Sequence, residues 1–199
     1  MNENSYTHII DAIATKSYVV IEDALEDFLS DALIAFAKES SAYKNAGISS
    51  SAELQIDKTK RSDKTLWLEE DFGVQSEYLA FTQGLREAVN CSLYMGLSYY
   101  EAHFAMYEAG DFYEKHLDAF RGSKNRVLTT VFYLNDAWER SDGGELCIYD
   151  ENDKLVEKVL PKKGTLVVFL SDKFPHEVLT AKRTRYSIAG WFRVDKRDS

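Results

Sequence analysis

The chain has 199 residues, 45% hydrophobic and 13% aromatic, enough to bury one sizeable core. Its formal net charge of -9 argues against nucleic acid as the main partner, because phosphate binding needs clustered Lys and Arg. Cys91 and Cys147, with no CxxC spacing, imply neither a disulfide framework nor a zinc site, and no apolar run approaches a membrane span.

From the start of the chain, Ser5 is a candidate cap for a short helix to about residue 14, with Ile9, Ile10 and Ile13 on one face. Before it, Met1 to Ser5 is polar and lacks an apolar signal core, so a cytoplasmic location is the expectation. Residues 18–21 form a compact apolar run, read as a strand. Leu25, Phe28, Leu29, Leu33, Ile34 and Phe36 recur at helical spacing, predicting a second helix to about Lys38. Residues 41–62 break the pattern with Gly47, Ser49, Ser50 and Ser51, and are read as a long loop, either a lid or plain surface. The short basic stretch Lys58, Lys60, Arg61 and Lys64 could steer an acidic protein segment.

Residues 65–68 read as a strand and 76–95 as a helix. After residue 97 the chain changes character: β-prone runs follow at 99–108, 126–134, 145–149, 165–170, 174–179 and 184–194. Helices first and strands afterwards predict an α+β domain, mainly β in its core, with a barrel or sandwich supported by the early helices. We expect one domain over 1–199, with helical and loop support at 1–98 and a catalytic β core at 99–195.

Three segments carry chemistry. In the first, His116 and Asp118 are two residues apart, so in an extended segment they point the same way and can meet one metal. Alone, HxD is a common chance pattern. The second, Phe174-Pro175-His176-Glu177-Val178, supplies a distant His. Two imidazoles and one carboxylate on one face of an octahedral iron leave three positions for a bidentate co-substrate and dioxygen. The third is the run 185–192. One strand face carries Arg185, Ser187, Ala189 and Trp191, which describes a cavity wall ending in a cation; the other, Tyr186, Ile188, Gly190 and Phe192, is a packing face. A guanidinium fork there suits a carboxylate in two-point contact, such as one end of a dicarboxylate whose other end chelates the metal.

With these residues in place, the segments YEAGDFYEKHLD (107–118), TTVFYLND (129–136), GGELCIY (143–149), FPHEV (174–178) and RYSIAGWF (185–192) resemble the catalytic core of the prolyl 4-hydroxylase family of Fe(II)- and 2-oxoglutarate-dependent dioxygenases. Within it they are most similar to the oxygen-sensing prolyl hydroxylases and their bacterial relatives. Upstream, Arg61-Ser62-Asp63-Lys64-Thr65-Leu66-Trp67 resembles the R-x-D-K-x-x-W segment of those enzymes. The resemblance implies a double-stranded β-helix, or jelly roll. It implies Fe(II) held by His116, Asp118 and His176, with 2-oxoglutarate and dioxygen as co-substrates and ascorbate as activator. It places the distal carboxylate on Arg185 and Tyr133, Tyr107 near the metal, and Leu146, Val178 and Trp191 around the co-substrate. Tyr113, Arg126, Asp63 and Trp67 match substrate-side positions, Arg126 and Asp63 as a charge pair.

The segment from Tyr107 to His116 is one residue shorter than in the animal oxygen sensors. Strict alternation also sets Arg126 opposite to Tyr133, so Arg126 must lie in a loop or beyond a bulge. The implied substrate is a prolyl residue of a protein, a translation factor being one candidate, with 44–62 closing over it. Competing readings are the same chemistry on a small molecule, or a cupin-like metal-binding module without oxygenase activity. His8 is expected on a surface helix, His103 in a structural role, and Cys147 as a core hydrophobe.

Overall fold

The computed structural model describes residues 3–50, 53–55, 59–69, 73–119 and 125–194. Lys58 and parts of the 41–62 stretch lie outside the described residues. Helix α1 (Glu3–Lys16) leads into β1 (Tyr18–Ile21) and α2 (Asp27–Glu39). Because α1 begins at Glu3, Ser5 lies inside its first turn rather than capping it. The stretch read as a loop contains β2 (Lys44–Asn45) and a hairpin of β3 (Ile48–Ser50) and β4 (Glu53–Gln55). Then come β5 (Lys64–Trp67) and α3 (Gly73–Leu93). The remaining strands are β6 (Tyr99–Tyr107), β7 (Tyr113–His116), β8 (Arg126–Tyr133), β9 (Leu146–Tyr149), β10 (Leu155–Val159), β11 (Leu166–Leu170), β12 (His176–Val178) and β13 (Arg185–Arg193).

Two antiparallel sheets form the core. The larger runs β1-β11-β8-β13-β6-β5-β2 and the smaller β10-β9-β12-β7. The inner face of the large sheet carries Ala105, Tyr107, Val131, Tyr133, Val167 and Phe169, which bury against Leu146, Ile148 and Val178 of the small sheet. Its outer face carries Phe104, Leu128, Phe132, Leu166, Val168, Ile188 and Phe192, which bury against Ile9, Ile13, Leu33, Tyr78, Leu85 and Val89 of the helices. Each helix therefore presents one apolar stripe to the sheet, and strand alternation sorts the second set of residues from the first. Two β sheets closed on each other and backed by helices make the double-stranded β-helix expected from the sequence.

β13 is the central strand of this arrangement, paired along its length with β6 and β8. Gly190 sits where a side chain cannot: a Cβ there would overlap the Tyr100 hydroxyl. That hydroxyl shares hydrogen bonds with Tyr78 (3.3 Å) and Thr130 (2.8 Å), a polar network beneath the sheet that needs the glycine gap. At the far end of β8 the register with β13 slips between Phe192 and Arg193, because Val127 is an extra residue. This bulge turns Arg126 back to the inner face, as strand parity required.

Candidate active site

The metal-ligand candidates meet across β7 and β12. His116 and His176 are directly opposed partners in that pair, with ring centroids 4.3 Å apart. Asp118 lies just past the end of β7 and brings its carboxylate between them. Its Oδ1 is 3.6 Å from His116 Nε2, and its Oδ2 is 3.7 Å from His176 Nε2. Each imidazole is oriented by a backbone carbonyl two residues earlier: His116 Nδ1 donates to Glu114 at 2.7 Å and His176 Nδ1 to Phe174 at 3.1 Å. A carbonyl only accepts, so each Nδ1 carries a proton and each ring turns its Nε2 toward Asp118. Thr129 donates to Asp118 Oδ2 at 2.7 Å and also contacts Ser171 at 2.9 Å.

Burial alone would raise the Asp118 carboxyl, but the neighbouring His176 and His116 outweigh it and hold it well below the usual carboxylate range. His176 is pushed down to about 4, mainly by burial. The site therefore offers one carboxylate and the neutral imidazole of His176, with His116 Nε2 turned toward them. On one octahedral face, bonds of about 2.1 Å set donors about 3 Å apart. Small side-chain adjustments bring these three to a divalent metal, and the donor set fits iron.

Arg185 lies at the other end of the same cavity and is 1% exposed. Its Nε donates to the Gly144 carbonyl at 2.9 Å and its Nη1 to Ser187 Oγ at 3.2 Å. The rings of Tyr107 and Tyr133 lie 4.8 and 5.0 Å from the guanidinium carbon. No acidic side chain among the described residues forms an ion pair with it. A lone buried guanidinium is costly, so this arrangement is built for an anion. The Tyr133 hydroxyl is buried without a hydrogen-bond partner among the described residues, and burial pushes its pKa up to about 12, so it keeps its proton to donate.

The cavity has a volume of about 650 Å³ and reaches the surface. Tyr107, Leu146, Val178 and Trp191 line it, as do Tyr113, Arg126 and Trp67. Tyr133 does not line it but packs beside Arg185, which does, and Asp63 is buried outside it. The expected pairing of Arg126 with Asp63 needs correction. Arg61, two residues away, donates to both Asp63 oxygens at 2.8 and 2.7 Å, while Arg126 donates to Glu101 at 3.1 Å. The nearer fork claims both lone-pair edges of Asp63, and Arg126 is held instead by stacking on Trp191, 3.7 Å from its centroid. Arg61 also lies over Tyr113, 4.3 Å from its centroid, and Tyr113 stacks on His116 at 3.6 Å. Sequence reasoning placed Ser187 on the cavity wall but missed Arg61, Thr129 and Glu101 as parts of the site. Only Arg61 had a signal, its place in the R-x-D-K-x-x-W segment.

His103 lines the cavity between Trp67 and Trp191, with ring centroids 5.0 and 5.4 Å away. Burial, helped by the charges of Arg61 and Arg126, lowers its pKa to about 3. The folded protein thus refuses a proton that the unfolded chain accepts below about pH 6.5. Stability from this group is fully present above pH 6.5 and is lost as pH falls from there toward 3. In chelator, denaturant unfolding of the wild type should lose about 2 kcal/mol through His103 between pH 7.5 and pH 5. His103→Phe should flatten that slope; an unchanged slope would show that His103 is not held neutral. His8 is exposed on α1 and Cys147 is buried, both as expected.

The fold is shared with proteins of known structure. A crystal structure of a Pseudomonas putida prolyl-4-hydroxylase superposes with a TM-score of 0.85 at 36% identity, covering 96% of this chain and 99% of that one. The model of the 2OG-Fe(II) oxygenase superfamily matches residues 102–193, which hold the His116, Asp118 and His176 cluster and Arg185. The chain belongs to the 2OG-Fe(II) oxygenase superfamily. A prolyl hydroxylase from Trichoplax adhaerens, solved in complex with a hypoxia inducible factor peptide fragment, matches this superfamily member with a TM-score of 0.85 at 25% identity. That match covers 96% of this chain and 90% of the other. The human Egl nine homolog 1 is 38% identical over 91 residues, 44% of this chain and 21% of that protein. The hypoxia-inducible factor prolyl hydroxylase of Caenorhabditis elegans is 37% identical over 89 residues, 44% of this chain and 12% of that protein. The matched segment thus spans far less than two thirds of these curated relatives. No helix among the described residues is long and apolar enough to cross a membrane.

Proposed function

We propose that this superfamily member hydroxylates a prolyl residue of a protein substrate at C4, with 2-oxoglutarate as co-substrate and succinate and carbon dioxide as by-products. The observation that carries the reading is the pairing of two features in one cavity: a His-Asp-His cluster at one end and, at the other, a buried arginine with no acidic partner among the described residues. Iron held by His116, Asp118 and His176 would supply the activation of dioxygen that organic side chains cannot. The chain's own residues do the rest. Glu114 and Phe174 carbonyls set the imidazole tautomers, and Thr129 fixes the carboxylate. Arg185 takes the distal carboxylate of 2-oxoglutarate, assisted by Tyr133, while Leu146, Val178 and the Tyr107 ring exclude water around it.

The prolyl substrate is supported by the near full-length likeness to the Pseudomonas putida prolyl-4-hydroxylase. An open cavity mouth framed by Tyr113, Arg126 and the half-exposed Trp67 suits a polypeptide segment. A translation factor is the substrate we favour, in the cytoplasm, with ascorbate keeping the iron reduced. The test is a screen of proline-containing peptides with iron, 2-oxoglutarate and ascorbate, read by mass for one added oxygen and by amino-acid analysis for 4-hydroxyproline. Peptides that gain the oxygen on proline, with matching succinate, bear the proposal out. Oxygen gain only on free amino acids or other small molecules would overturn it.

A further inference from the structure

Glu101, Arg126 and Arg193 form a cluster on the cavity wall, and the chemistry above gives no part to Glu101 or Arg193. Arg126 and Arg193 are cross-strand partners on β8 and β13, so two like charges face each other. Glu101 on β6 relieves that repulsion by accepting from both, Arg126 at 3.1 Å and Arg193 at 2.8 Å. One carboxylate between two guanidinium groups leaves the cluster with one positive charge in excess. Among the described residues no second acidic side chain pairs with either arginine. Arg193 Nε is buried and has no hydrogen-bond partner among the described residues. Arg126 lies over Trp191, 3.7 Å from its ring centroid, and among the described residues its one side-chain hydrogen bond is from Nη2 to Glu101. This surplus cation stands at the mouth of a chain whose net charge is -9, so it is the local exception that would admit an anion.

We propose that this cluster is a specificity site that binds a side-chain carboxylate of the substrate polypeptide, a few residues from the hydroxylated proline. The inference rests on the prolyl hydroxylase reading above. The spacing follows from strand geometry. Glu101, Trp191 and Thr129 are partners in one row across β6, β13 and β8, and Thr129 holds Asp118. Two strand spacings put Glu101 about 10 Å from Thr129, which is about three residues of extended chain. An acidic residue three or so positions from the target proline therefore reaches the arginines while the proline occupies the cavity. Glu101 is a positioning residue here, and the arginines provide the contact.

The experiment uses the iron-loaded enzyme with 2-oxoglutarate and a peptide set built on its best proline-containing substrate. A single Asp is walked through both flanks, each peptide matched by its Asn counterpart. In the wild type, one or two neighbouring positions should show about a tenfold lower KM for Asp than for Asn, the size of a hydrogen bond to a charged group. Arg193→Gln should erase that preference, Arg193→Lys should restore part of it, and Glu101→Gln should enlarge it by freeing a second cation. A purely structural cluster would lose binding of both peptides alike in Glu101→Gln. No position dependence in the wild type, or a full preference in Arg193→Gln, overturns the proposal while leaving prolyl hydroxylation standing. If no proline peptide is oxidised at all, the functional reading fails and this inference falls with it.

Discussion

Asp118→Ala should abolish succinate production and weaken binding of Mn(II), used as a redox-quiet probe, by more than about a hundredfold. Outer hydrogen-bond partners of metal ligands already cost about ten- to a hundredfold when removed, and a ligand should cost more. The carboxylate carries the only negative charge of the cluster: His116 and His176 face it with their Nε2 atoms at 3.6 and 3.7 Å. Without it, two imidazoles remain with nothing to offset the charge of a divalent metal. Thr129→Val removes the 2.7 Å donor to Oδ2 and should give an intermediate loss, about tenfold or more. Isothermal titration in oxygen-free buffer, alongside a succinate assay, reads both. Wild-type turnover or unchanged Mn(II) affinity in Asp118→Ala would remove this residue from the metal site.

The parts of this molecule legible in the sequence are those written in local periodicity. The alternation over 185–192 assigned Arg185, Ser187, Ala189 and Trp191 to one face, and all four line the cavity. The same parity argument put Arg126 in a loop or beyond a bulge, and Val127 supplies the bulge. Short edge elements were not legible. Strand β7, Tyr113-Glu114-Lys115-His116, has too few apolar residues to announce itself, and β10 is an edge strand whose Glu157 and Lys158 break the alternation and whose register slips. Yet it is the β7–β12 pairing that sets His116 opposite His176. The hydrogen-bond partners were hidden for another reason: Thr129 with Asp118 is a contact between ordinary residue types that only the closed barrel brings together. The choice of Asp63 by Arg61 rather than Arg126 was decided by reach, since a neighbour on the same extended segment needs no tertiary contact to close a two-point pair.

Arg185 gives a prediction of comparable size that separates binding from folding. Its guanidinium is 1% exposed, satisfied by one carbonyl and one hydroxyl, and flanked by two tyrosine rings. A buried cation in that state opposes folding until an anion arrives. Arg185→Leu should raise the KM for 2-oxoglutarate by about a hundredfold or more, the usual consequence of removing one partner of a buried charge pair. Thermal unfolding adds an independent reading. In the metal-loaded wild type, 2-oxoglutarate at about 100 Kd should stabilise by about 2.7 kcal/mol, or roughly 5–10 °C for a chain of this size. The Leu variant should lose that increment yet be no less stable than the wild type without ligand, because it no longer buries an unpaired charge. Arg185→Lys keeps the charge but not the fork and should fall between the two. If the 2-oxoglutarate requirement and the thermal increment both survive in Arg185→Leu, another cation holds the distal carboxylate. If the increment vanishes while the unliganded variant unfolds far more easily, Arg185 serves the core rather than the co-substrate.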